Sequence, residues 1–112
     1  MKNPDDKIYL LHIKKALKKI DSYVNNLDFE GFKKKSIVQD AVIRQFEIIG
    51  EATKRLSEDF KNHNTNIPWK YIIGMRNRLI HNYFGVDIDT VWETIVKDIP
   101  NLKKEIFKIY YK

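Results

Sequence analysis

Ser36-Ile37-Val38-Gln39-Asp40-Ala41-Val42-Ile43-Arg44-Gln45-Phe46-Glu47-Ile48-Ile49-Gly50-Glu51-Ala52-Thr53-Lys54-Arg55-Leu56-Ser57 decides the fold class. Val38, Val42, Ile49, Ala52 and Leu56 repeat on one face at helical spacing, with Phe46 and Ile48 beside them. Ile37 and Ala41 widen that stripe, so the spacing predicts a helix over 36–57 packed on both sides. Gly50 inside it costs about 1 kcal/mol relative to Ala. Its expected purpose is the close approach of another helix.

The flanking sequence continues the helical pattern. Upstream, Asn3 reads as an N-cap, Pro4 suits the first helical position, and Asp5 and Asp6 favour the positive end of the helix dipole. Leu10, Ile13, Leu17, Ile20 and Val24 then step three and four residues apart, and Asn25-Asn26 ends the segment. Asp28–Phe32 is a short connector of at most one helical turn. Downstream, residues 61–67 read as a polar loop. Pro68-Trp69 opens a helix running to about Asn82, with Thr65 or Asn66 as candidate caps. Gly85 breaks the chain. Asp87 or Asp89 caps a further helix bearing Val91, Trp92, Ile95 and Ile99. Pro100 either kinks it or starts another, holding Leu102, Ile106 and Ile109. Trp69 and Trp92 are expected as core or interface anchors. Sustained period-two alternation appears nowhere. The expectation is an all-α fold, an up-and-down helical bundle of four to five helices in a single domain over 1–112.

Composition narrows the function. The chain has 112 residues, 4 Gly, 3 Pro and no Cys. Disulfides, thiolate metal sites and cysteine nucleophiles are therefore excluded. The residues after Met1 lack the apolar run of a signal peptide, and no apolar stretch is long enough to span a bilayer. The expected location is the cytoplasm, without membrane attachment. Net charge is +6 with a pI near 9.4, which suits a polyanionic partner. Lys14, Lys15, Lys18 and Lys19 read as a solvated helix face. Glu47 and Glu51, close to Lys54 and Arg55, read as a salt-bridged one. Residues 66–86 hold Lys70, Arg76 and Arg78 with no acid.

That acid-free window contains Met75-Arg76-Asn77-Arg78-Leu79-Ile80-His81-Asn82-Tyr83, the pattern Arg-x4-His-x-Tyr. A guanidinium can bind a phosphate in a planar fork. An imidazole can move a proton near neutral pH. Together they suit RNA cleavage without a metal. His81 would take the 2′-OH proton, Arg76 would neutralise charge growing on the phosphoryl oxygens, and Asn77 would assist. The product would be a 2′,3′-cyclic phosphate, and DNA would be spared. Lys70 and Arg78 are the candidate RNA-binding cations. His12, His63 and His81 lack metal-ligand spacing, so neither metal nor cofactor is expected. On a regular helix Asn77 and His81 share a face, whereas Arg76 and His81 point about 140° apart. Either the last turn loosens, or the site joins two helices, as a two-fold dimer would allow. The same spacing also fits surface charge with a C-terminal dipole partner, and Tyr83 a half-buried aromatic.

The chain resembles the HepT-like branch of the HEPN superfamily, the toxin half of HepT/MntA toxin–antitoxin pairs. The resemblance is carried by Gln39–Arg44, Ile48–Ala52, Ile67-Pro68-Trp69, Gly74–Val86, Val91-Trp92 and Ile99–Leu102. It implies a helical homodimer whose paired motifs form a cleft, and a metal-independent ribonuclease toxin with Arg76 and His81 catalytic and Asn77 assisting. It further implies a cognate MntA-like nucleotidyltransferase antitoxin that transfers AMP to Tyr83. An alternative within the resemblance is a non-catalytic, substrate-binding partner of that nucleotidyltransferase.

Overall fold

A computed structural model of the chain describes residues 3–79 and 87–109, without the side chain of Arg76. Helix α1, Pro4–Val24, begins as the sequence predicts, with the Asn3 side chain accepting from the Asp5 N–H at 2.9 Å. Leu10, Ile13, Leu17 and Ile20 are buried, joined by Ala16. Asn26 ends the segment in the left-handed conformation, φ 64°, which asparagine tolerates better than most residues. The connector is a helical turn, α2, Phe29–Lys33, capped by Asp28. Its last carbonyls, on Phe32 and Lys33, accept from the Gln39 side chain.

Helix α3, Ser36–Arg55, is the expected long helix, ending two residues early. Phe46, Val42 and Ile49 are fully buried, so Phe46 is central to the core and not peripheral. Ile37 departs from expectation: it is 83% exposed. Packing is nonetheless two-sided, because α3 lies against α1 and also against α5. Gly50 marks the second contact. A Cβ there would sit 3.6 Å from the Ile73 carbonyl oxygen and 3.8 Å from that of Ile72.

A turn missing from the sequence reading follows: α4, Glu58–Asn62, is capped by Ser57, whose hydroxyl accepts from the Phe60 N–H. A single turn is too short to show periodicity, and it occupies part of the expected polar loop. Trp69 closes the connection, its indole N–H donating to the carbonyls of Lys61 and Asn64, both at 3.1 Å. Asn66, a candidate cap, instead turns its amide to Glu105. Helix α5, Trp69–Leu79, buries Ile72, Met75 and Leu79.

Helix α6, Ile88–Glu93, is capped by Asp87, and a π-helical turn over Thr94–Asp98 leads into α7, Ile99–Phe107. Pro100 explains this better than a kink. It has no N–H to give a helical partner, and its ring would crowd the carbonyl four residues back; the wider π turn absorbs both problems. Helix α7 returns to α1, where Lys14 donates to the Ile109 carbonyl and Lys103 pairs with Asp21. Lys14 and Lys18 also approach the Phe107 ring, so this lysine face is only partly solvated. Among the described residues the fold is all-helical, with seven α-helices where four to five were expected. The surplus comes from the single turns α2 and α4 and from the break before Pro100. Among the described residues, no helix is long and apolar enough to cross a membrane.

Candidate functional site

Helix α5 carries the first half of the Arg-x4-His-x-Tyr pattern. Because Ile72, Met75 and Leu79 point inward, Lys70, Asn77 and Arg78 are left exposed. Arg76 lies within the helix. His81 and Tyr83 lie outside the described residues, as does the expected angle between Arg76 and His81. The flanks of that stretch meet, since the Asp87 N–H donates to the Leu79 carbonyl at 3.1 Å.

Asn77 faces a cleft of about 320 Å³ between α3 and α5, lined also by Arg44, Glu47, Gly50, Glu51, Lys54 and Ile73. Gly50 brings the helices close at its floor. Two carboxylates and two cations make the lining electrically balanced. Lys54 and Glu51 pair at 3.6 Å with both side chains more than half exposed, an arrangement worth little in stability. Glu47, Glu51 and Lys54, part of the face expected to be salt-bridged, therefore line one wall of the cleft that holds Asn77. Lys70 lies seven residues before Asn77 on the same helical face, about 10 Å along the axis.

Arg78 is held more firmly than a free surface cation. Its guanidinium carbon lies 3.7 Å from the centroid of the Tyr71 ring, and Nη2 donates to the Tyr71 carbonyl at 2.6 Å. The Tyr71 hydroxyl donates in turn to Asp98 on the π turn. Burial, followed by the hydrogen bond to Asp98, raises the Tyr71 pKa above its usual 10.0; the phenol stays protonated at neutral pH. Gly74 makes room, since a Cβ there would come 3.1 Å from Arg78 Nη1. Tyr71 also borders a second, largely apolar cleft of about 300 Å³ between α5 and α7, with Ile72, Met75 and Leu102. Tyr71, Gly74 and Asp98 did not figure among the sequence-derived site residues. Tyr71 and Arg78 are seven apart, the spacing that places two residues on one helical face, but nothing local in the sequence points to Asp98.

Comparison with known proteins places this geometry in a family context. A family model described as "Ribonuclease HepT-like" matches residues 13–109. A "Probable ribonuclease HepT" of Thermococcus cleftensis is 44% identical over 92% of this chain and 94% of its own length. A "Putative RNase" of Caldanaerobacter subterraneus subsp. tengcongensis is 43% identical over 100% of this chain and 98% of its own. A protein of Methanocaldococcus jannaschii named "Gamma-glutamylcyclotransferase and putative RNase" is 48% identical over 94% of this chain. The match spans about half of that longer relative, 47% of its length. No solved structure matches the chain.

Proposed function

This chain belongs to the ribonuclease HepT-like family, and on that premise we propose that it is the endoribonuclease toxin of a type VII toxin–antitoxin system. It cleaves RNA without a metal. His81 accepts the proton of a ribose 2′-OH, the oxygen attacks the adjacent phosphate, and a second acid protonates the departing 5′-oxygen. Arg76 stabilises the charge that develops on the phosphoryl oxygens, and Asn77 assists. The products are a 2′,3′-cyclic phosphate and a 5′-hydroxyl. Two copies of the chain pair so that their motifs line one cleft, which supplies the second helix that regular helical geometry calls for. The protein acts in the cytoplasm. A cognate MntA-like nucleotidyltransferase silences it by placing AMP on Tyr83, where added bulk and negative charge keep an RNA phosphate away from the motif.

One observation carries this reading: Asn77, inside the motif, opens onto a polar cleft between two packed helices and does not serve the core. The test is cleavage of RNA by the purified protein in EDTA, with end-group analysis of the products. Cyclic-phosphate ends, lost in His81→Ala, are expected. Intact RNA at high concentrations of folded protein, together with AMP transfer to Tyr83 and stable binding to the nucleotidyltransferase, would instead favour a non-catalytic partner.

A further inference from the structure

We propose that the outward face of the Arg78 guanidinium is a stacking platform for an unpaired nucleobase of the RNA. The proposal rests on the ribonuclease reading for its ligand, and on the geometry around Tyr71 for its site. The guanidinium carbon lies over the Tyr71 ring, 3.7 Å from its centroid, so the group is packed closely on the ring. Three further features fix it there. Nη2 is tied to the Tyr71 carbonyl at 2.6 Å. The ring is anchored from α5 to the π turn through its hydroxyl and Asp98. Gly74 leaves open the space beside Nη1 that a Cβ would crowd at 3.1 Å. Arg78 is nonetheless exposed, and Tyr71 is 38% exposed. The result is a cation braced against an aromatic ring and a backbone carbonyl on a side chain that remains exposed.

Such a braced guanidinium suits a base better than a phosphate. A phosphate-gripping arginine presents a mobile fork, whose use is bidentate pairing; this one has an Nη committed to a carbonyl. Bases in single-stranded RNA stack readily on arginine planes and aromatic rings, and the cation–π pair beneath holds the guanidinium in place. Position agrees as well. Arg78 lies on the same helix as Asn77, so a base seated there belongs to RNA that crosses the motif-bearing helix. Arg78 thus acts as a positioning contact for a base, and the general attraction for the RNA backbone falls to other cations such as Lys70.

The experiment is equilibrium binding of the full-length protein to a short single-stranded RNA made uncleavable by 2′-O-methylation, compared with a series carrying one abasic position each. In wild type, removing one particular base is expected to weaken binding about tenfold, the scale of a single stacked base. Arg78→Lys keeps the charge and loses the plane. It should bind the intact RNA about tenfold more weakly, be indifferent to the abasic position, and keep the wild-type salt slope. Gly74→Ala changes no ionisable group but obliges the guanidinium to shift by a few tenths of an ångström, and should weaken base-dependent binding in the same direction by a smaller factor with an unchanged circular dichroism spectrum. The proposal is overturned if Arg78→Lys binds every RNA as wild type does, or if it loses affinity equally for intact and abasic RNA, the mark of a phosphate contact. Cleavage in EDTA is scored separately. Base-dependent binding without cleavage leaves the platform standing and removes the nuclease reading; cleavage with base-indifferent binding does the reverse.

Discussion

The Asp6 carboxylate holds both polar groups of Ser57: one oxygen accepts from the backbone N–H at 2.8 Å and the other from the hydroxyl at 2.6 Å. Fifty-one positions separate the two residues. Asp6 is only 2% exposed, so this is a buried, charge-assisted link between the first turn of α1 and the cap of α4. It fixes where α3 ends and α4 begins, and hence the approach to α5. Removing the carboxylate leaves the Ser57 donors without that acceptor. Asp6→Ala is therefore expected to destabilise the fold by about 3 kcal/mol, and Asp6→Asn by about half as much. Ser57→Ala removes the hydroxyl's bond to Asp6 and the cap of α4 but keeps the backbone N–H bond, and the double variant should cost less than the sum of the two. Urea denaturation midpoints at constant m-value measure all three.

Gly50 is expected to behave in the opposite direction. Its position allows α5 to approach, but a Cβ would lie at 3.6 Å and 3.8 Å from two carbonyl oxygens, which is ordinary contact. Gly50→Ala gains helix propensity and loses unfolded-state freedom, a stabilisation of about 0.5–1 kcal/mol. The melting temperature should rise by a few degrees. A fall would mean that the methyl group is not accommodated between α3 and α5 at these distances.

These two sites show what was legible in the sequence. The cap at Asn3, the stripe from Leu10 to Ile20 and the Asp87 cap are local, and local chemistry was enough to find them. Gly50 was rightly assigned to a helix approach, although the contact is looser than that assignment implies. Ile37 was misassigned because it sits on the first turn of α3, where an apolar residue can fit the period with nothing packed over it. The α4 turn was hidden because five residues hold too little periodicity, and because its anchor is the distant Asp6. At the site, Asn77, Arg78 and Lys70 were legible as exposed polar groups on one helix. The sequence marks Arg78 as a candidate RNA-binding cation but hides its bracing, because the Tyr71 it packs on is seven residues away and is itself held by Asp98 on the π turn.

The Tyr71–Asp98 bond gives a pH dependence with a definite sign. The folded-state pKa of Tyr71 is raised above 10.0, so the folded state holds its proton more tightly than the unfolded chain does. The associated stability is fully present below about pH 10 and is lost as pH rises through the folded value. Stability near neutrality should not respond to this group. Thermal melts across the alkaline range should fall less steeply for Tyr71→Phe than for wild type, and tyrosinate absorbance should show one late-titrating phenol missing in that variant. Arg78→Lys should leave the late titration in place, because desolvation and Asp98, not the guanidinium, raise the value.

Asn77 offers the cleanest separation of chemistry from folding. Its side chain is exposed in the cleft between α3 and α5, and the buried positions of α5 are Ile72, Met75 and Leu79. Substitution therefore removes no core volume. Asn77→Ala should leave the unfolding free energy within about 1 kcal/mol of wild type, the scale of one exposed polar contact. If the amide assists at the phosphate or orients the proton-transfer group, the rate of the cleavage step falls by about 10²-fold, the usual loss for one polar group acting on the transition state. Single-turnover cleavage of RNA in EDTA separates this from binding: the rate constant at saturating protein should drop while the apparent Kd changes little. Unchanged single-turnover rates would remove Asn77 from the catalytic set and leave it as part of the cleft wall. An equal loss in Kd and none in rate would make it a ground-state contact for RNA, with the chemistry left to Arg76 and His81.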